Sequence, residues 1–133
     1  MLNRYGDTGL VVYYPYFIAL KSGTLEIAAE ATIIEAVKDD LWNLTTDGSR
    51  DVTVVVDRHT GHITFYGKSD FLKSNEIEQL VACARKVRTR LKDYIYVHSS
   101  VLLEWSYAVN TDVQHRPIGE VYLVFYECRT IKA

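Results

Sequence analysis

Residues 25–44, LEIAAEATIIEAVKDDLWNL, decide the architecture of this chain, because the run carries two periods at once. Ile27, Ala31, Ile34, Leu41 and Leu44 recur at helical spacing, with Val37 filling the gap and Glu30, Lys38 and Asp39 falling elsewhere. Thr24 stands where an N-cap belongs, and Glu26 lies in the first turn, where the helix dipole favours an anion. The segment LEIAAEATI also alternates as a strand does. The helical stripe predicts a helix over 25–44, stopped by the loop Thr45-Thr46-Asp47-Gly48-Ser49.

Working outward, residues 10–20, LVVYYPYFIAL, are β-branched and aromatic enough for a strand buried on both faces. Pro15 cannot donate to a ladder, so this strand needs an edge position or a bulge. Downstream, residues 51–68, DVTVVVDRHTGHITFYGK, form a hairpin with strands at 51–57 and 62–67. Val52, Val54 and Val56 point one way, and Gly61 supplies the residue that tolerates positive φ in the turn. Ile77, Leu80, Val81, Ala84, Val87 and Leu91 make the clearest helical stripe, predicting a helix over 76–92 that Asn75 and Glu78 would cap.

YIYVH at 94–98 reads as a further strand, with Ser99-Ser100 as a bulge or bend. Strands at 101–109 and 120–131 then form a second hairpin around Asn110, Asp112, Pro117 and Gly119. The order is βαββαβ plus a C-terminal hairpin, which is the ferredoxin-like order of an α+β two-layer sandwich. Its first strand is central, where Pro15 fits worst, so a two-layer sandwich with another strand order is the alternative.

The 133 residues suit one domain, expected over 1–133. An apolar fraction of 48% with 24% charged residues excludes disordered and fibrous classes. Net charge is −2, which argues against a general attraction to nucleic acid or anionic membrane. The charge is unevenly placed: residues 1–80 hold 7 Lys+Arg against 12 Asp+Glu, and residues 81–133 hold 8 against 5. Cys83 and Cys128 are isolated from each other and from metal-ligand spacing, as expected of reduced thiols. MLNRYGDTG lacks a basic leader, and the apolar run at 10–20 is too short to span a bilayer. A soluble, cytoplasmic protein in a reducing compartment is expected.

Few residues offer chemistry. Asp57, His59 and His62 put a carboxylate and two imidazoles in one turn, a backup zinc or enzyme site. Polar turn residues account for the same pattern without a metal. His98-Ser99 does not make a hydrolase pair, because adjacent strand residues face opposite ways and no G-x-S-x-G surrounds the serine. No P-loop, G-x-G-x-x-G or EF-hand pattern is present, and no catalytic residue or cofactor is assigned. Arg85, Lys86, Arg88, Arg90 and Lys92 crowd the end of the second predicted helix, where cations complement the dipole. With Arg116 from the last hairpin, Arg85, Arg88 and Lys92 are the candidate site for phosphate or nucleic acid.

Tyrosine supplies the main hint. The chain has ten, and Tyr94, Tyr96, Trp105, Tyr107, Tyr122 and Tyr126 crowd the C-terminal strands. Val121, Leu123 and Phe125 line the opposite face of the last strand, so both faces of the hairpin look apolar and one needs cover. The expected function is a non-enzymatic assembly or adaptor subunit that binds a protein partner or a second copy through these residues. In size, in a helix ahead of the sheet strands and in the aromatic last strand at 120–126, the chain resembles small phage tail-completion subunits. That resemblance implies a viral structural role.

Overall fold

The computed structural model of the protein describes residues 17–41, 44 and 50–132. In chain order the elements are β1 (Phe17–Ile27), β2 (Ala31–Lys38), β3 (Val52–Asp57), β4 (Ile63–Gly67), α1 (Ser74–Arg90), a 3-10 turn (Lys92–Tyr94), β5 (Ser99–Thr111) and β6 (Pro117–Lys132). The strands make one antiparallel sheet in the order β4-β3-β2-β1-β5-β6. The first four form a meander. α1 then carries the chain back across one sheet face, so that β5 pairs with β1.

This overturns the ferredoxin-like βαββαβ order. Residues 25–38 do not form the start of a helix: they supply the end of β1, a tight reversal closed by Ala28 N–H to the Ala31 carbonyl (2.9 Å), and β2. Leu25 and Ile27 are buried and alternate with partly exposed Thr24 and Glu26. Thr32, Ile34 and Ala36 are buried and alternate with Ala31, Ile33 and Glu35. A sheet buries every second residue, and this row is complete only because β3 and β5 flank it. The similarity to phage tail-completion subunits rested on a helix ahead of the strands, and it falls with that helix.

The strand expected over 94–98 is also absent. Tyr94 ends the 3-10 turn, and Tyr96 makes a single bridge to Ser99, whose hydroxyl donates to the Tyr94 carbonyl at 2.7 Å. Ser99 and Ser100 are therefore the first residues of β5 rather than a bulge. Of the strand expected over 10–20, residues 17–20 belong to β1, and 10–16, including Pro15, lie outside the described residues. The hairpin strands expected at 51–57 and 62–67 stand at Val52–Asp57 and Ile63–Gly67, and those at 101–109 and 120–131 at Ser99–Thr111 and Pro117–Lys132. The helix expected over 76–92 starts two residues earlier. Its cap uses Glu76, which accepts the Lys73 N–H at 2.8 Å, rather than Asn75 with Glu78.

The core lies between α1 and the sheet. Ile77, Leu80 and Ala84 of the helix pack on Leu25, Ile27, Ile34, Val54 and Trp105 of four strands. Each fully buried aliphatic side chain contributes about 1.5–3 kcal/mol of transfer free energy. Trp105 is fully buried, edge-on to Tyr107 with ring centroids 5.7 Å apart. Gly23 makes room for it: a Cβ there would lie 2.6 Å from Trp105 Cζ2 and overlap the Glu35 carbonyl. Among the described residues, no helix is long and apolar enough to cross a membrane.

Candidate functional site

The last hairpin is built from two long strands with different surroundings. β5 runs between β1 and β6 and is buried from Ser99 to Val109 apart from Glu104, which is half-buried. β6, at 16 residues, is the longer of the two outer strands of the sheet, the other being five-residue β4, and among the described residues no strand pairs with its far edge. Ile118 and Val121 are each 51% exposed, and Phe125, Tyr126 and Ile131 are also partly in water. Such an edge offers a row of backbone N–H and C=O groups to another strand.

The β5–β6 register slips at Glu104/Trp105, where Glu104 faces Glu127 and Trp105 faces Phe125. This bulge keeps Tyr126 on the face opposite α1 and bends the edge locally. Tyr126 anchors a chain of hydroxyls there. Its OH donates to Ser106 Oγ at 2.6 Å, Ser106 and Ser22 are bonded at 2.6 Å, and Ser22 Oγ donates to the Asp39 carbonyl at 2.6 Å. A carbonyl only accepts, so the Ser22 proton points to Asp39, the Ser106 proton to Ser22 and the Tyr126 proton to Ser106. Ser22 and Ser106 are fully buried. Burial pushes the Tyr126 phenol above its ordinary pKa, with Asp40 and Tyr122 adding to the effect and the Ser106 bond opposing it. The ring also stacks on Phe17, 6.5 Å between centroids.

The six residues expected at an interface therefore divide. Trp105 and Tyr107 are core residues beneath α1 and are removed from any contact surface. Tyr94 and Tyr96 are about half exposed, but they stand on the turn before β5 rather than sharing a strand face. Tyr122 is half-buried with its OH on Asn110 Oδ1 at 2.7 Å, and Tyr126 is 46% exposed. Val121 and Phe125, expected on the opposite face of the last strand, are partly in water, and what sequence reasoning missed is Ile118, which it left in the loop before the strand.

A polar cleft of about 340 Å³ opens on the helix side, lined in part by Lys21, Glu76, Gln79, Tyr107 and Val121. Lys21 Nζ donates to Glu76 Oε1 at 2.8 Å and to the Phe71 carbonyl at 2.7 Å, and lies 5.2 Å from the Phe71 ring centroid. The Tyr107 hydroxyl is 2.7 Å from Gln79 Oε1 and 3.1 Å from the Glu76 carbonyl. Burial, and then the Glu76 carboxylate, push its phenol far up. The ammonium and carboxylate neutralise each other, so this group ties β1 to the start of α1. Lys21 and Glu76 are 55 residues apart, and no sequence signal pairs them.

The turn of the first hairpin is self-contained. Asp57 Oδ1 accepts the N–H groups of His59 and Thr60, both at 2.9 Å, and these bonds hold its carboxyl below the usual range. His59 Nε2 meets Glu30 Oε2 at 3.0 Å, while the His62 N–H donates to Thr60 Oγ1. Among the described residues no three His, Cys, Asp or Glu side chains converge to hold a metal ion, so Asp57, His59 and His62 do not make such a group. The candidate anion residues separate as well. Arg85 and Arg88 line one cavity, Lys92 lies in the 3-10 turn, and Arg116 is tied to Asp112 at 2.8 Å at the tip of the other hairpin. Cys83 and Cys128 are free thiols, and burial pushes the Cys83 thiol up.

No protein-family model matches the chain, and no curated protein or solved structure matches it either.

Proposed function

We propose that this chain is an association subunit that works by protein contact, adding a strand of a second copy or of a protein partner to the outer edge of β6. The observation that supports this is one strand. β6 is 16 residues long, outermost among the described strands, and carries half-exposed Ile118 and Val121 beside Phe125 and Tyr126. Natural edges are normally short, charged or interrupted by proline. Here the only proline, Pro117, stands at the first position, and Glu120, Glu127, Arg129 and Lys132 leave the centre of the strand apolar. Strand addition supplies main-chain hydrogen bonds, and alternate side chains select the partner.

Light scattering coupled to size exclusion tests the self-association form. The wild-type chain should run above its 15.2 kDa monomer mass, and Ile118→Lys with Val121→Lys should return it to a monomer that still unfolds cooperatively. For a hetero-partner, the same double variant should abolish its recovery with the tagged chain. A monomer at every concentration, with no partner whose recovery the double variant removes, would end the proposal.

A further inference from the structure

We infer that the cavity between the β3–β4 turn and the second half of α1 is a binding site for a doubly charged phosphoryl group, as free phosphate or as a phosphate monoester. The cavity holds about 280 Å³ and is lined by Thr32, Asp57, Arg58, Gly61, Arg85 and Arg88 among others. Three guanidinium groups thus reach one space from two elements, the turn after β3 and the helix. This site is independent of the β6 edge.

The three arginines are only partly committed. Arg88 Nη1 donates to the Ala28 carbonyl at 2.7 Å, and its Nη2 lies 3.5 Å from the Ala31 carbonyl and 3.4 Å from Thr32 Oγ1. Arg58 Nη1 donates to the Ala29 carbonyl at 3.2 Å. Together they grip the β1–β2 reversal and face the cavity from fixed positions. The Arg85 side chain makes no hydrogen bond or ion pair among the described residues, and none of the three belongs to an ion pair there. A guanidinium has five donors in a planar fork that matches phosphate oxygens in pairs, so most of this donor capacity remains for a ligand.

Two carboxylates, Asp57 in the lining and Glu30 close to Arg88, offset part of the charge of three guanidiniums and leave it net positive. Asp57 directs its Oδ1 to turn amides, and Glu30 sits against His59. The positive field is felt within the cluster: burial and then the charge of Arg58 lower the Arg88 pKa, with only Glu30 opposing. A helix dipole explains cations such as Arg88 and Arg90 in the last turn of α1, but not Arg58, which comes from another element. Gly61, at φ +74°, closes the exposed turn that forms one side of the cavity. Three guanidiniums and the Thr32 hydroxyl suit a tetrahedral dianion better than a planar monoanionic carboxylate.

Calorimetric titration of the full chain at low ionic strength, with inorganic phosphate, adenosine monophosphate and acetate as separate probes, tests the site. Phosphate or the monoester should bind saturably and acetate should not. Tighter binding of the monoester would identify an ester as the ligand class, and equal binding would identify the free ion. Arg58→Gln and Arg85→Gln should each weaken binding roughly tenfold, the scale of one charged hydrogen bond, while Arg116→Gln leaves it unchanged. Arg85→Gln removes no internal bond, so its melting temperature should match the wild type and separate lost binding from lost folding. Absence of saturable binding, loss of equal size in Arg116→Gln, or no loss in Arg85→Gln would overturn the site. Retention on duplex DNA without binding of either small phosphate would replace it with a nucleic-acid surface.

Discussion

The two hairpins of this sheet are closed by the same device and otherwise differ throughout. In the first, β3–β4, Asp57 accepts the N–H groups two and three residues on. In the second, β5–β6, Asp112 accepts those of Gln114 and Arg116. An aspartate at the head of a turn mimics a backbone acceptor in both cases. Each hairpin ends at an edge of the sheet, β4 on one side and β6 on the other. Beyond the turn, the first hairpin pairs in unbroken register from Val52 to Val56, and β4 ends after five residues. The second hairpin runs for 13 and 16 residues and slips register twice. A short, regular hairpin fixes which face of the sheet meets the helix. A long one with bulges has strand to spare, and β6 carries it beyond the core to the surface. The difference shows that local turn chemistry places a hairpin, whereas strand length determines how much edge it offers.

The sharpest way to break the comparison is through the core. Trp105→Ala in the second hairpin should cost about 3–5 kcal/mol, measured by urea unfolding. Val54→Ala in the first hairpin should cost less, about 2 kcal/mol. Equal losses would mean that the second hairpin does not hold the larger share of the core. A smaller effect is expected on the face opposite α1. Ser106→Ala leaves the Tyr126 hydroxyl and buried Ser22 short of a partner, for about 1–3 kcal/mol. It should also alter the fluorescence or ring exchange of Tyr126, whereas a merely local cavity would leave the tyrosine unchanged.

The smallest effect concerns acid. Asp57 and Asp112 have pKa values lowered by the turn N–H groups they accept. For Asp51, burial raises the pKa, but the bonds from Lys68 and the Lys38 N–H outweigh it. Each folded-state pKa lies below the unfolded value, so the stabilisation is present above the unfolded carboxyl pKa near 3.8. It is lost as pH falls through the folded values. Two of the three carboxylates belong to the first hairpin and one to the second. Amide exchange at about pH 3 should therefore open the Val52–Gly67 amides before those of Ser99–Thr111, and the reverse order would contradict this assignment.

How much of this was legible depends on where the deciding contact lies. Val52, Val54 and Val56 announce a strand by their alternation, and Ile77, Leu80 and Ala84 announce a helix, because each pattern is complete within one element. Residues 25–44 fit both periods, and their neighbours in the sheet decide between them. Leu25 pairs with Leu103, 78 residues away, and Ile34 pairs with Val54. YIYVH has strand composition, but it lies in the approach to β5, where only Tyr96 finds a bridge. The arginine cavity was half legible. Arg85 and Arg88 stand three apart on one helix, while Arg58 arrives from a turn 27 residues earlier.

By itself, then, the sequence determined the first hairpin, the body of the helix though not its cap, and the second hairpin with its turn residues, since periodicity and turn chemistry act over a few residues. Only the tertiary structure decided that residues 25–27 and 31–38 pair as strands, that Trp105 and Tyr107 are core, that β6 is a long edge and that three arginines share a cavity. Each of those outcomes rests on hydrogen bonds or burial between segments distant in the chain, and no local pattern encodes which distant strand will supply them.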